Sequence, residues 1–273
     1  MRQRAFLERF EVKPGRKVRL KNFDPDYQKH PYRSDPKLKD HLAATLARLA
    51  ELEVRLYAEA KQSLLIVLQA LDAGGKDGTI RRVFSGLNPQ SCRVASFKRP
   101  SSLELRHDFL WRIHEAVPGK GEIGIFNRSH YEDVLVVRVH KLVPPAAWKK
   151  RYRHINNFEE HLVESGTQIL KFFLHISKAE QRQRLQARLD DPEKHWKIEA
   201  SDFEERQRWD DYQEAFEEAL GRCSTPWAPW HVVPANRRWF RDWVVAQILV
   251  DKLEKMNPQF PPPKVDVSKL KLR

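Results

Sequence analysis

Five short apolar runs limit what this chain can fold into: SLLIVLQAL (63–71), RVASF (93–97), EIGIFN (122–127), ILKFFLHI (169–176) and HVVPA (231–235). Each is too brief for a buried helix, and the longer ones are apolar without alternation, as strands covered on both faces are. Helical segments separate them. Leucines at 38, 42, 46, 49, 52 and 56 keep a helical spacing over 38–58, and 101–116, 145–165 and 237–255 also read as helices. Strands alternating with helices predict an α/β protein with a parallel five-stranded sheet between two helical layers. At 273 residues, one domain spanning 1–273 is expected. Its first stretch, 1–36, is rich in Pro, Lys, Arg and Asp and reads as an N-terminal arm laid over the surface.

The alternation fails once. From 178 to 220 the chain is heavily charged and contains no strand, and SKAEQRQRLQARL and DFEERQRWDDYQEAFEEAL read as two helices joined around DDPEKHWK. One reading is a solvated hairpin. The sharper one is a mobile helical lid that closes over phosphates, with Arg184 and Arg188 four residues apart on one face.

What the lid would close on is LQALDAGGKDGTI (68–80). A strand, a glycine turn and a helix starting near Lys76 form the context of a phosphate-binding loop. There, backbone N–H groups at a helix N-terminus meet the anion, and glycine lets the main chain approach it. Ala73, Gly74, Gly75, Lys76, Asp77, Gly78 and Thr79 form the expected cradle, with Lys76 as point charge. The match to GxxxxGK[ST] is imperfect: Ala70 replaces the first glycine, and Asp77 the hydroxyl that normally reaches magnesium. Magnesium takes oxygen ligands, typically one or two carboxylates plus water. Asp72 in the turn is one candidate, while Asp77 reads as a helix-dipole partner. A strand ending at Phe126 places Asn127, Arg128, Glu132 and Asp133 at the sheet's carboxyl edge, where open parallel sheets bind ligands. Asp72 with Asp133 is the expected metal pair.

Charge points the same way. With 50 Lys+Arg against 37 Asp+Glu, the chain carries +13, which predicts a polyanionic partner. Arg81 and Arg82 on the loop's helix, Lys98 and Arg99 after the second strand, and KKRYRHIN (149–156) are candidates for a basic track. Two cysteines in no metal or redox spacing fit a reducing compartment. No apolar stretch suits a signal peptide or a membrane span, so a cytoplasmic protein without a membrane partner is expected.

In order, DAGGKDGT, FNRSHYEDVLVVRV, KRYRHIN, ILKFFLHISKAEQRQRL, DDPEKHWK and WDDYQEAFE resemble the family-2 polyphosphate kinases, over roughly Phe23 to Pro258. The resemblance implies a thymidylate-kinase-like P-loop fold with a helical lid. The implied activity is magnesium-dependent transfer, with Mn2+ as alternative ion, of a terminal phosphoryl group between inorganic polyphosphate and AMP, ADP or ATP. By position, Asp72 and Asp133 hold metal, Arg128 neutralises the transferring group, and Arg184 or Arg188 closes from above. The family's nucleoside-diphosphate-preferring branch has Asp-Arg-Ser-Trp-Tyr-Asn-Arg where this chain has NRSHYED. Asn127 thus loses an acid, and Glu132 and Asp133 replace an amide and an arginine. Asn127 and Glu132 are the expected selectivity positions, and the pattern resembles the third class, which accepts nucleoside mono- and diphosphates. Guanine nucleotides as further substrates and a homo-oligomeric assembly belong to the same expectation.

Two rivals remain at this level. An ATP-dependent nucleotide kinase would share loop, lid and metal without needing so long a basic track. A nucleic-acid-binding module would fit the charge and eight tryptophans, but no motif of that class is present. Trp196, in the hairpin, is expected to pack, and His130 to be a neighbour of the site rather than a nucleophile.

Overall fold

The computed structural model of the chain describes residues 2–29 and 38–271. In chain order the elements are α1 (Arg2–Leu7), α2 (Leu38–Glu59), β1 (Ser63–Gln69), α3 (Lys76–Val83), β2 (Cys92–Ser96), α4 (Trp111–His114), β3 (Ile123–Asn127) and α5 (Val136–Val139). There follow α6 (Pro145–Glu164), β4 (Thr167–His175), α7 (Lys178–Leu189), α8 (Ala200–Gln207), α9 (Trp209–Arg222), β5 (Trp230–Pro234) and α10 (Arg238–Met256). All five expected strands form, each within two residues of its apolar run at the start. They pair in parallel in the order β2-β3-β1-β4-β5.

Burial explains the order. Every residue of β1 is buried, as is all of β5, whereas β2 is half exposed. The continuously apolar run therefore takes the centre, and the run with Arg93 and Ser96 takes an edge. Helices α2 and α3 both pack on α10, and α5 packs against both α6 and α9. Each fully buried Leu or Phe of this core contributes about 2 kcal/mol of transfer free energy. The result is the expected α/β architecture.

Three expectations change. Segment 101–116 holds only a 3-10 turn at Glu104–Arg106 and the four-residue α4. Its leucines Leu103 and Leu105 stay 54% and 70% exposed, so no apolar face exists to hold a longer helix. The arm is not a surface coat: Phe6, Leu7, Phe10, Val12, Val18 and Leu20 are buried. Phe6 packs on Trp243 and Phe10 on Phe240, at centroid distances of 5.8 and 6.1 Å. Val12 N–H donates to Trp230 O at 2.8 Å and covers part of the β5 edge. Its stretch 30–36, and the residue Met1, lie outside the described residues. Finally, the hairpin's second helix breaks at Arg208. Trp209, Ala215, Phe216, Ala219 and Leu220 of α9 are buried in the core, so the hairpin is not solvated along its whole length.

Two buried histidines make stability depend on pH. Burial pushes His175, at the end of β4, and His231, in β5, down to about 4 from 6.5. A folded-state value below the unfolded one means that the unfolded chain binds more protons between the two. The contribution is therefore complete above 6.5 and is lost as pH falls toward 4. Full protonation of both would cost on the order of a few kcal/mol. Thermal unfolding followed from pH 7 to 4.5 should show a falling midpoint, and replacing His231 by Gln should flatten the slope.

Candidate active site

The loop between β1 and α3 has the shape that its sequence implied. Gly75 is the N-cap of α3, with φ of 103°. A Cβ there would collide with the Arg241 guanidinium, so only glycine fits. A Cβ on Gly74 would lie 2.5 Å from Ala70 Cβ and 2.7 Å from Leu71 O. Ala73 and Arg128 also hold left-handed backbone, φ 59° and 62°. Such residues cost about 1–2 kcal/mol each and concentrate at functional sites.

Lys76 is half-buried and donates to Ala70 O at 3.0 Å, folding its ammonium back over the turn. Burial lowers its pKa, Arg128's charge adds to the fall, and Asp72, Glu132 and Asp77 oppose it. Arg128 Nη2 donates to Asp72 Oδ1 at 3.0 Å. Glu132 joins this group: burial raises its carboxyl pKa against Arg128, Lys76 and a hydrogen bond with Gln69. Two cations and two carboxylates thus face one another at the carboxyl ends of β1 and β3. Thr79 Oγ1 donates to Gly75 O at 3.1 Å, so it bonds its own helix, and Asp77 Oδ1 accepts from Asn127 Nδ2 at 2.8 Å.

Asp133 is elsewhere. It accepts from Arg151 Nη1 at 2.7 Å, and the groups that act on it electrostatically are Arg151, Arg112 and His130 rather than Asp72 or Lys76. In the 3-10 turn His130–Val134, adjacent side chains point apart, so Glu132 takes the place expected of Asp133. The sequence missed this because spacing cannot tell which of two neighbouring acids faces inward.

The two arginines expected to close from above differ. Arg184 Nη1 donates to Ala73 O at 3.0 Å and Nη2 to Ala235 O at 2.6 Å, tying α7 to the loop and to the end of β5. Arg188 Nη1 pairs with Asp202 of α8 at 3.1 Å, within the hairpin. Helix α7 also reaches the loop through Gln181 Nε2, which donates to Asp72 O at 3.0 Å. Asp202 feels Asp72: burial, then that carboxylate, raises its pKa. Of the basic track, Arg81, Arg82, Lys98 and Arg99 are all exposed, and Arg82 pairs with Asp242 of α10 at 3.1 Å. Trp196 does not pack; it stands 79% exposed beside Lys197. His130 is fully buried, against Glu159, and inaccessible as a nucleophile.

A metal can be tested against this donor set. No group of three or more His, Cys, Asp or Glu among the described residues is arranged to hold one. Asp72, with its side chain 25% exposed, offers carboxylate oxygen to a hard cation whose other ligands are water and phosphate. Asp133 does not fit. No helix among the described residues is long and apolar enough to cross a membrane.

A glycine turn leading from a central strand into a helix N-terminus, at the edge where the strand order doubles back, is the arrangement of P-loop kinases. The model for polyphosphate kinase 2 matches residues 32–261, and the chain belongs to that family. It is 54% identical over 264 residues to the AMP/ADP-polyphosphate phosphotransferase of Meiothermus ruber, covering 97% of this chain and 99% of that one. The ADP-polyphosphate phosphotransferase of Rhodopseudomonas palustris is 46% identical, over 93% of this chain and 92% of its own. The crystal structure of polyphosphate kinase 2 from Arthrobacter aurescens superposes with a TM-score of 0.91 at 44% identity, covering 96% and 93%.

Proposed function

We propose that the chain transfers the terminal phosphoryl group of inorganic polyphosphate to AMP and to ADP, reversibly, at the loop formed by residues 73–79. The observation that carries this reading is the convergence of Lys76 and Arg128 on Asp72 and Glu132 above an anion-binding turn. The Meiothermus relative, named for both AMP and ADP, supports the acceptor range.

The chemistry asks little covalent work of the protein. The attacking group is a nucleotide phosphate oxygen, already ionised at neutral pH, so no general base is required. What remains is to hold donor and acceptor in line and to neutralise charge as the phosphoryl group moves. The N–H groups of the turn cradle the donor, Lys76 lies on its oxygens, and Arg128 faces the transferring group. Arg184 holds the base of the lid against the loop. In this reading the lid comprises residues 178–208, not 178–220.

Asp72 and Glu132 would repel an incoming polyanion, which is the physical case for a divalent cation between them. Asp72 would hold it, with Glu132 as neighbour, and magnesium suits the all-oxygen site. When bound, the ion supplies charge neutralisation for the phosphates.

The test is incubation with AMP or ADP, polyphosphate and magnesium in the absence of ATP, following nucleotide products. ADP and ATP should appear in proportion to polyphosphate consumed. Transfer to AMP from ATP but not from polyphosphate would overturn the reading in favour of an ordinary nucleotide kinase.

A further inference from the structure

Beneath the turn that carries Arg128 and Glu132 lies a closed polar cluster that the phosphate chemistry does not touch. Its members are His130, Tyr131, Glu159 of α6 and Lys171 of β4, none of which exposes any surface. The Lys171 ammonium donates to Glu159, to Tyr131 Oη at 2.9 Å and to Cys223 O at 2.6 Å, which uses all three of its protons. The Glu159 carboxylate also accepts from Tyr131 Oη at 2.8 Å and lies 3.1 Å from His130 Nε2. One positive and one negative charge are thus enclosed, and every donor and acceptor of the ion pair is engaged.

Stability alone does not call for such a pair. Two charges taken from water lose solvation that their attraction returns only in part, and apolar residues of similar volume often do as well or better. The location is what distinguishes this one. It grips two successive residues, His130 and Tyr131, of a turn whose Arg128 holds left-handed backbone and whose Glu132 faces Lys76. From the other side Ser129 Oγ accepts from Gln69 Nε2 at 3.1 Å, at the end of β1, and from Tyr131 N at 3.2 Å. Cys223 is the C-cap of α9, the helix that brings Tyr212 within electrostatic reach of Glu132 and Asp72. One buried ammonium therefore links the catalytic turn, α6 and the end of α9.

We propose that Glu159 and Lys171 are positioning residues for phosphoryl transfer, acting through Tyr131 and His130 to hold Arg128 and Glu132 in register with Lys76. The proposal uses the reading above for its kinetic assay but makes a structural claim of its own. Misplacing reacting groups by about 1 Å can cost about a hundredfold in rate. The loss should fall on turnover rather than on binding, since neither residue meets a substrate.

The experiment compares the full-length wild type with Tyr131→Phe, which deletes one hydroxyl, and with Glu159→Gln, which leaves Lys171 without a counter-charge. Both are assayed for kcat and for KM toward nucleotide and polyphosphate, at a temperature below each measured unfolding midpoint. Tyr131→Phe should lower kcat by about tenfold or more with both KM values within about threefold, and Glu159→Gln should lower it further. Crystal structures should show the Arg128–Asp72 contact, 3.0 Å in the wild type, opened in the variant. A folded Tyr131→Phe with turnover within about twofold of wild type, or with Arg128 unmoved, overturns the proposal. If Glu159→Gln fails to fold, Tyr131→Phe decides alone. A wild type without polyphosphate-dependent turnover removes the proposed function, and the position of Arg128 still judges the positioning role.

Discussion

Replacing Lys76 by alanine is expected to lower turnover by two to three orders of magnitude, about 3–4 kcal/mol of transition-state stabilisation, with the fold intact. The lysine is half-buried, its burial and Arg128 already work against its charge, and its ammonium is folded over the glycine turn. A cation held in that place stabilises negative charge more than one in open water, because less solvent screens it. Among the described residues the side chain hydrogen-bonds to Ala70 O alone, so its removal leaves one carbonyl to find water. Turnover at saturating nucleotide and polyphosphate, alongside thermal unfolding, checks this. A loss below about tenfold would make the turn a structural feature rather than a phosphate site.

The second large effect separates two aspartates that the sequence treated alike. Asp72→Asn should reduce turnover at least about a hundredfold and raise the magnesium concentration needed, because a neutral amide is a poorer ligand for a hard cation. Asp133→Asn should act on stability instead. Its carboxylate pairs with Arg151 at 2.7 Å with both side chains largely shielded, and breaking that pair should cost about 1–3 kcal/mol. Its turnover below the unfolding transition should stay within about tenfold of wild type. Kinetics across a magnesium titration, with melting curves on the same samples, measure both. An inactive but undiminished fold for Asp133→Asn, beside a nearly normal Asp72→Asn, would restore the metal pair inferred from spacing.

The contrast marks where the sequence stops being legible. A strand covered on both faces is mostly apolar, and even the half-exposed β2 keeps Val94, Ala95 and Phe97 in its run, so the apolar runs locate all five strands and with them the edge at which the loop sits. The glycine turn is equally plain, since a close backbone approach excludes side chains. Orientation is not. Glu132 and Asp133 are neighbours in a 3-10 turn, and which one faces Lys76 is decided by Arg151, eighteen positions on and in another helix. The lid's far end is obscured by its charge, although Ala215, Phe216, Ala219 and Leu220 do carry a helical apolar spacing. The buried cluster leaves one local trace. Lys171 interrupts ILKFFLHI, and a lysine inside a strand covered on both faces needs an anion and further acceptors around it. Its partner Glu159, in a helix with a long polar face, has no local signature.

Structure determination of the chain with polyphosphate and magnesium tests the central claim most directly. The account predicts phosphate oxygens on the backbone N–H groups of residues 75–78, since those of Gly74 and Thr79 are engaged by Leu71 O and Gly75 O, and within hydrogen-bond reach of Lys76, with the ion on Asp72. A polyphosphate chain bound away from Lys76, with Asp72 still paired only to Arg128, would contradict it.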